Sequence, residues 1–186
     1  PLAPLSGSSD QSYQRENNGC TDTDDNDADF ILQTPANPQN STNTPIKCLR
    51  VIDVTSTTAD GTYQENDSIA VIVEFSSNVN VTGSPTLLLE TGATDRPAIY
   101  SSGSGSDTLT FNYTVQNGDL SDDLDYVATN SLSLNGGAII GAVGDADLTL
   151  PEPGAAFSLG ANKAIVIDNQ VPPEVISFTR QNPPEG

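Results

Sequence analysis

The stretch CTDTDDNDADF, residues 20–30, sets five aspartates and an asparagine within eleven positions. Asp22, Asp24 and Asn26 reproduce the D-x-D-x-N opening of a calcium loop, in which alternate oxygen-bearing side chains turn onto one hard cation. The likeness stops at the sixth position, where Asp27 replaces the glycine of the sharp turn. At the twelfth, Gln33 replaces the bidentate glutamate. An EF-hand is therefore not expected. Two readings stay open: a looser carboxylate site for Ca²⁺, and a solvated acidic loop whose Asp and Asn side chains cap backbone turns.

A second acidic set lies further along. It comprises Asp60 in TADGTY, Asp119, Asp122, Asp123 and Asp125 in NGDLSDDLDY, and Asp168 with Asn169 in IVIDNQVP. In an immunoglobulin-type sandwich these segments are expected at one pole. So many converging carboxylates repel one another unless a cation lies between them. Asp60, Asp123, Asp125, Asp168 and Asn169 thus form the candidate site for a Ca²⁺ ion at a junction with the next domain. Cadherin junctions are similar in placement, though not in motif. The alternative is acidic turns facing water. Tyr126, next to Asp125, has a competing role as a tyrosine-corner anchor in the core.

Other chemistry is thinly supplied. Histidine is absent, which removes the commonest general base and the usual zinc ligand. Methionine is absent too, and two cysteines make no soft-metal site. Asp122 and Asp123 imitate a glycosidase pair, but a turn holds them loosely and no tryptophan offers a sugar platform. No enzyme activity and no catalytic residues are expected. Sequons occur at Asn40, Asn66, Asn80 and Asn112, a number that chance supplies in so Ser/Thr/Asn-rich a chain.

The two thiols, Cys20 and Cys48, lie 28 positions apart. With no CxxC and no partner base, a structural disulfide is expected over a reactive pair. Closing that loop contributes about 3.6 kcal/mol by the loss of chain entropy.

The charge sets the company the protein keeps. Among 186 residues, 25 are acidic and 6 basic, a formal net charge of −19. That field repels nucleic acid and anionic membranes. No apolar run reaches the roughly 18 residues that cross a bilayer, so no membrane insertion is expected. Low lysine with abundant Ser, Thr, Asn, Asp and Gly is common in secreted bacterial surface proteins, so an extracellular location is expected. Both ends read as cut from something longer, and any signal peptide is expected upstream or already removed.

The elements that must position these residues are strands. In SIAVIVEF, Ile69, Val71, Val73 and Phe75 share one face; in TLTFNYTV, Leu109, Phe111, Tyr113 and Val115 do. Further strands read as 50–54, 85–90, 96–100, 131–134 and 163–168, separated by Gly/Asn/Asp/Pro clusters. Helical periodicity is nowhere sustained. About seven short strands in about 120 residues predict an all-β, antiparallel sandwich of immunoglobulin type, with a small barrel or jelly roll as the alternative. Three zones follow: 1–48, 49–171 and 172–186.

The stretches ADGTYQENDSIAVIVEFS, VTGSPTLLLETG, YSSGSGSDTLTFNYTVQNGDLSDDLDY, LSLNGGAI and LPEPGAAFSLGANKAIVID resemble a bacterial immunoglobulin-like repeat found in tandem in large surface and adhesin-like proteins. The resemblance implies a spacer, adhesive or assembly unit with neighbouring repeats as partners. SYQRENNGCTDTDDNDADF with TPANPQNS and a closing cysteine resembles the last third of a bacterial lamin-tail domain, a partial β module pinned by Cys20–Cys48. PPEVISFTRQNPPEG resembles the first strand of a following repeat. Val175, Ile176 and Phe178 are then candidate donors to another subunit's open sheet edge. Two functions result: a structural or adhesive module, possible calcium stiffening included, or a subunit of an extracellular filament built from identical subunits by strand exchange.

Overall fold

Side chains that alternate between core and solvent force a strand to lie flat on the core, and two such strands make the centre of the molecule. The computed structural model describes residues 11–15, 26–36, 48–142 and 144–169. The first of them form a two-stranded antiparallel ribbon, β1 (Ser12–Arg15) with β2 (Phe30–Gln33), in which Ser12 faces Gln33 and Arg15 faces Phe30. One helical turn, α1 (Asn26–Asp29), precedes β2.

The sandwich follows. Its strands are β3 (Val51–Ser56), β4 (Gly61–Tyr63), β5 (Ser68–Thr82), β6 (Thr86–Leu89), β7 (Arg96–Ser102), β8 (Ser106–Thr114), β9 (Leu120–Ser121), β10 (Leu132–Ser133), β11 (Ala138–Gly141), β12 (Gly144–Asp145) and β13 (Ile165–Asp168). A single turn, α2 (Leu159–Asn162), precedes β13 and is capped by Ser158, whose hydroxyl accepts from Ala161 N–H.

The larger sheet runs β10-β6-β7-β8-β5 in antiparallel order, and the far edge of β5 is shared. β3 takes its first half, from Val71 to Phe75, and β11 its last residues, from Val79 to Thr82. A register shift between Glu74 and Val79 separates the halves. The second sheet is β4-β13-β9, with β13 parallel to β4 and antiparallel to β9.

The alternation read from the sequence sets the core. Ile69, Val71, Val73, Phe75, Leu109, Phe111, Tyr113 and Val115 are all buried, and Ile165, Ile167, Leu124 and Tyr126 join them from the other side. The protein is all-β, as expected. Several strands escaped the sequence: β4, β9 and β12 hold two or three residues each, and β1–β2 lie in a zone that reads as irregular. The tip between β7 and β8 requires Gly103, with φ of +110°; a Cβ there would lie 2.1 Å from the Thr108 carbonyl.

The strand directions decide where the chain enters and leaves. β3 starts beside Ser76, whose N–H donates to the Arg50 carbonyl. β13 ends at Asp168, and Asn169 after it lies against Glu65 and Gln116, beside the start of β5. From Ser68 to Ser76 along β5 is about 26 Å at about 3.3 Å per residue. The chain therefore enters the sandwich at one end and leaves it at the other.

Candidate functional site

The acidic residues gather at two ends of β13, not at one. Parallel pairing sets Gly61 beside Ile165 and Tyr63 beside Ile167. Asp60, just before β4, thus lies by Ala164, while Asp168 lies by Leu120 on β9. Ala164 and Asp168 are separated by about 13 Å of strand. Calcium draws its ligands to within about 2.6 Å, so no single ion reaches both carboxylates. The expected five-residue convergence of Asp60, Asp123, Asp125, Asp168 and Asn169 is corrected by this topology. Its source is the parallel β4–β13 pairing, which places the TADGTY turn at the opposite end from Asn169.

At the first end, Asp60, Asp122 and Asp123 line an open depression of about 480 Å³ with Gly160, Ala161, Asn162, Lys163 and Ala164. The protein brings its own cation here. Lys163 Nζ lies 2.8 Å from Asp60 Oδ1, which also accepts from Ala164 N–H at 3.3 Å. The Lys163 hydrogen bond first, and that backbone N–H second, hold the Asp60 carboxyl below the usual carboxylate range. Asp123 moves the other way: partial desolvation, then the negative charge of Asp125, raise it. Both carboxylates flank Gly160, where a Cβ would sit 3.0 Å from Asp125 Oδ2 and 3.5 Å from Asp123 Oδ2.

Asp125 itself is committed to the fold. Its Oδ1 accepts from Tyr126 N–H and its Oδ2 from Gly154 N–H, each at 2.9 Å. Tyr126 is buried and its hydroxyl donates to the Pro151 carbonyl at 2.6 Å. It holds the core role expected of it, but its acceptor lies downstream in the chain, not a few residues upstream as in a tyrosine corner.

At the second end, Asn169 is a clamp. Its Oδ1 accepts from Glu65 N–H at 3.0 Å and its Nδ2 donates to the Gln116 carbonyl at 2.8 Å. Nearby, Asp119 is 1 % exposed. It accepts from Arg96 Nε at 2.9 Å, Tyr113 Oη at 2.5 Å and Gln116 N–H at 2.9 Å. Burial first, and the Asp119 hydrogen bond second, push the Tyr113 phenol far up.

Among the described residues no group of three or more Cys, Asp or Glu side chains is placed to hold a metal ion. Asn26 begins α1, while Asp22, Asp24 and Cys20 lie outside the described residues. Cys48 bears no free thiol, and its carbonyl accepts from Ser76 Oγ. Val175, Ile176 and Phe178 also lie outside the described residues.

Sequence reasoning missed Lys163 and Arg96 as partners of Asp60 and Asp119. One signal was available: with six basic residues in the chain, each one beside a strand is worth matching to a nearby carboxylate. No family model, curated protein or solved structure matches the chain.

Proposed function

We propose that residues 49–171 are an immunoglobulin-like module of a secreted bacterial multidomain surface protein, serving as a spacer or adhesive unit. The order β3-β5-β8-β7 in one sheet and β9-β13 in the other supports this reading, because it follows the A-B-E-D and F-G pairings of that fold. The observation that carries it is the path of the chain. A module entered at one end and left at the other can be repeated head to tail without the chain doubling back.

The calcium-stiffened version is not part of this reading, since the five residues that were to bind one ion stand at two ends. Strand exchange is also disfavoured for the sandwich itself. β5 is hydrogen-bonded on both sides and β13 lies between β4 and β9, so neither needs a foreign strand.

Size-exclusion chromatography and negative-stain imaging of the 186-residue chain test the reading. Monomers are expected, unchanged by deleting residues 173–186. Fibres that vanish with the deletion would overturn it in favour of the filament.

A further inference from the structure

Chance accounts for the number of N-x-S/T sequons in this chain, but not for where the fold puts them. Among the described residues Asn78, Asn117, Asn135, Asn162 and Asn169, all outside sequons, donate their side-chain amides to a neighbour. The sequon asparagines Asn66, Asn80 and Asn112 make no such bond there, and all three are exposed. Outside the sequons, Asn130 alone shares that freedom among the described residues.

Two of the three lie on strands, each beside an exposed isoleucine. Asn80 on β5 is paired with Ile140 on β11, and Asn112 on β8 with Ile99 on β7. Those isoleucines are 40 % and 45 % exposed. Alternation along a strand puts residues i and i+2 on one face. Thr82 and Thr114, the hydroxyl partners of the two sequons, therefore stand exposed beside their asparagines. Asn66 differs, since it sits in the turn before β5 with φ of +75°.

The face around Asn112 is also short of charge. The outward residues of β8 are Thr108, Thr110, Asn112 and Thr114, and Pro97 and Ile99 flank them on β7. None of these is acidic in a chain with 25 acidic residues, while Leu88 and Ile99 stay open to water. The net charge of −19 weighs against a second copy as their cover. An attached sugar fits better. It is neutral, bulky and solubilising, and its ring offers C–H groups to isoleucine and hydroxyls to threonine.

We propose that Asn80 and Asn112 are N-glycosylation sites, at which a covalently attached neutral sugar covers Ile140 and Ile99. The amide Nδ2 attacks the anomeric carbon of a nucleotide- or lipid-linked sugar donor. A C–N bond forms and the C–O bond to the donor's phosphate breaks. The phosphate leaves with the electron pair, and one amide proton passes to a base of the cell's transferase. The inference rests on the surface-protein reading only for the export route on which the chain meets that transferase.

The test recovers the full-length protein from the surface and medium of the cells that make it. Electron-transfer mass spectrometry then locates sugar on its peptides, and sugar mass is expected on Asn80 and Asn112. Thr82→Ala and Thr114→Ala keep each asparagine but are expected to lose the sugar at their own site, whereas Thr82→Ser and Thr114→Ser retain it. Enzymatic removal of the sugar from the folded protein is expected to raise the fluorescence of an apolar-surface dye. Ile99→Thr combined with Ile140→Thr is expected to abolish that rise. Bare Asn80 and Asn112 in protein recovered outside the cell would overturn the proposal and leave the spacer standing. Sugar that persists in both alanine variants would overturn it too, as would a dye signal that removal leaves unchanged. Bare protein confined to the cytoplasm would overturn both the sites and the surface-protein reading.

Discussion

Removing the Asp119 carboxylate should destabilise the fold more than removing any other acidic group at the two poles. Asp119 is 1 % exposed and receives three donors: the Arg96 guanidinium, the Tyr113 hydroxyl and Gln116 N–H. Asp119→Ala leaves the Tyr113 hydroxyl without an acceptor in the core, which alone costs about 1–3 kcal/mol. It also strips Arg96 of its counter-charge. Breaking a buried pair costs about 3–5 kcal/mol, but the Arg96 side chain is 25 % exposed and recovers part of its hydration. The two losses overlap, and the net expectation is about 3–4 kcal/mol.

Asp119→Asn keeps an accepting oxygen and loses the charge, so about 1–2 kcal/mol is expected; Tyr113→Phe removes one donor and should cost about 1.5 kcal/mol. At about 3–4 °C per kcal/mol for a sandwich of this size, Asp119→Ala lowers Tm by about 10–15 °C. Far-UV circular dichroism in a urea series measures this, with an unchanged m-value as the check that the unfolded state is the same. A loss under about 1 kcal/mol for Asp119→Ala would refute the argument, because water or a rearranged turn would then have satisfied all three donors.

Three further outcomes follow from the same geometry. Tyr113 and Tyr126, two of the five tyrosines, are both pushed up, foremost by burial. Their folded pKa exceeds the unfolded value, so this stability is complete below about pH 10 and is lost as pH rises beyond it. Absorbance at 295 nm should show the Tyr113 and Tyr126 phenols ionising only on unfolding; their ionisation before unfolding would contradict this. Asp123 is raised by burial and by Asp125, so its ionisation disfavours the folded state as pH rises through the carboxylate range. Asp123→Asn should therefore raise Tm at pH 7 and leave it unchanged at pH 3; a lower Tm at pH 7 would mean that the charge is wanted. Asp60 and Asp168 stand at opposite ends of β13, so Asp60→Asn and Asp168→Asn should not both abolish one and the same calcium-dependent rise in Tm, which for a saturated site amounts to several degrees; loss of a single such effect in both variants would refute the two-pole arrangement.

Much of the fold is legible in the sequence because its longest strands are buried on one face. Ile69, Val71, Val73 and Phe75 alternate with half-exposed residues, and period two is a local property that needs no knowledge of partners. The poles were not legible, for the opposite reason. β4 and β9 hold two or three residues and exist only because β13 supplies hydrogen bonds from a hundred positions away in the case of β4. Nothing local in GTY says that it will pair with IVI in parallel. That one choice of direction moved Asp60 from the pole of Asn169 to the pole of Lys163.

The same distinction explains what so many carboxylates do in this protein. Asp67 Oδ2 accepts from Gln64 N–H, Asp119 Oδ2 from Gln116 N–H and Asp147 Oδ1 from Thr149 N–H. Each closes a turn whose backbone donor would otherwise lack a partner, and a short side chain with accepting oxygens is the chemistry that this task selects. A calcium loop draws on the same residue types at similar density, so composition alone cannot separate the two uses. Direction separates them. A carboxylate turned back onto the N–H of its own turn has its direction fixed by that turn, whereas ligands of one ion must point at one another across the space between segments. At the poles of this sandwich Asp67, Asp119 and Asp125 turn inward to their own backbone, and Asp60 turns to Lys163. At these turns the acidity is thus first a means of satisfying the backbone.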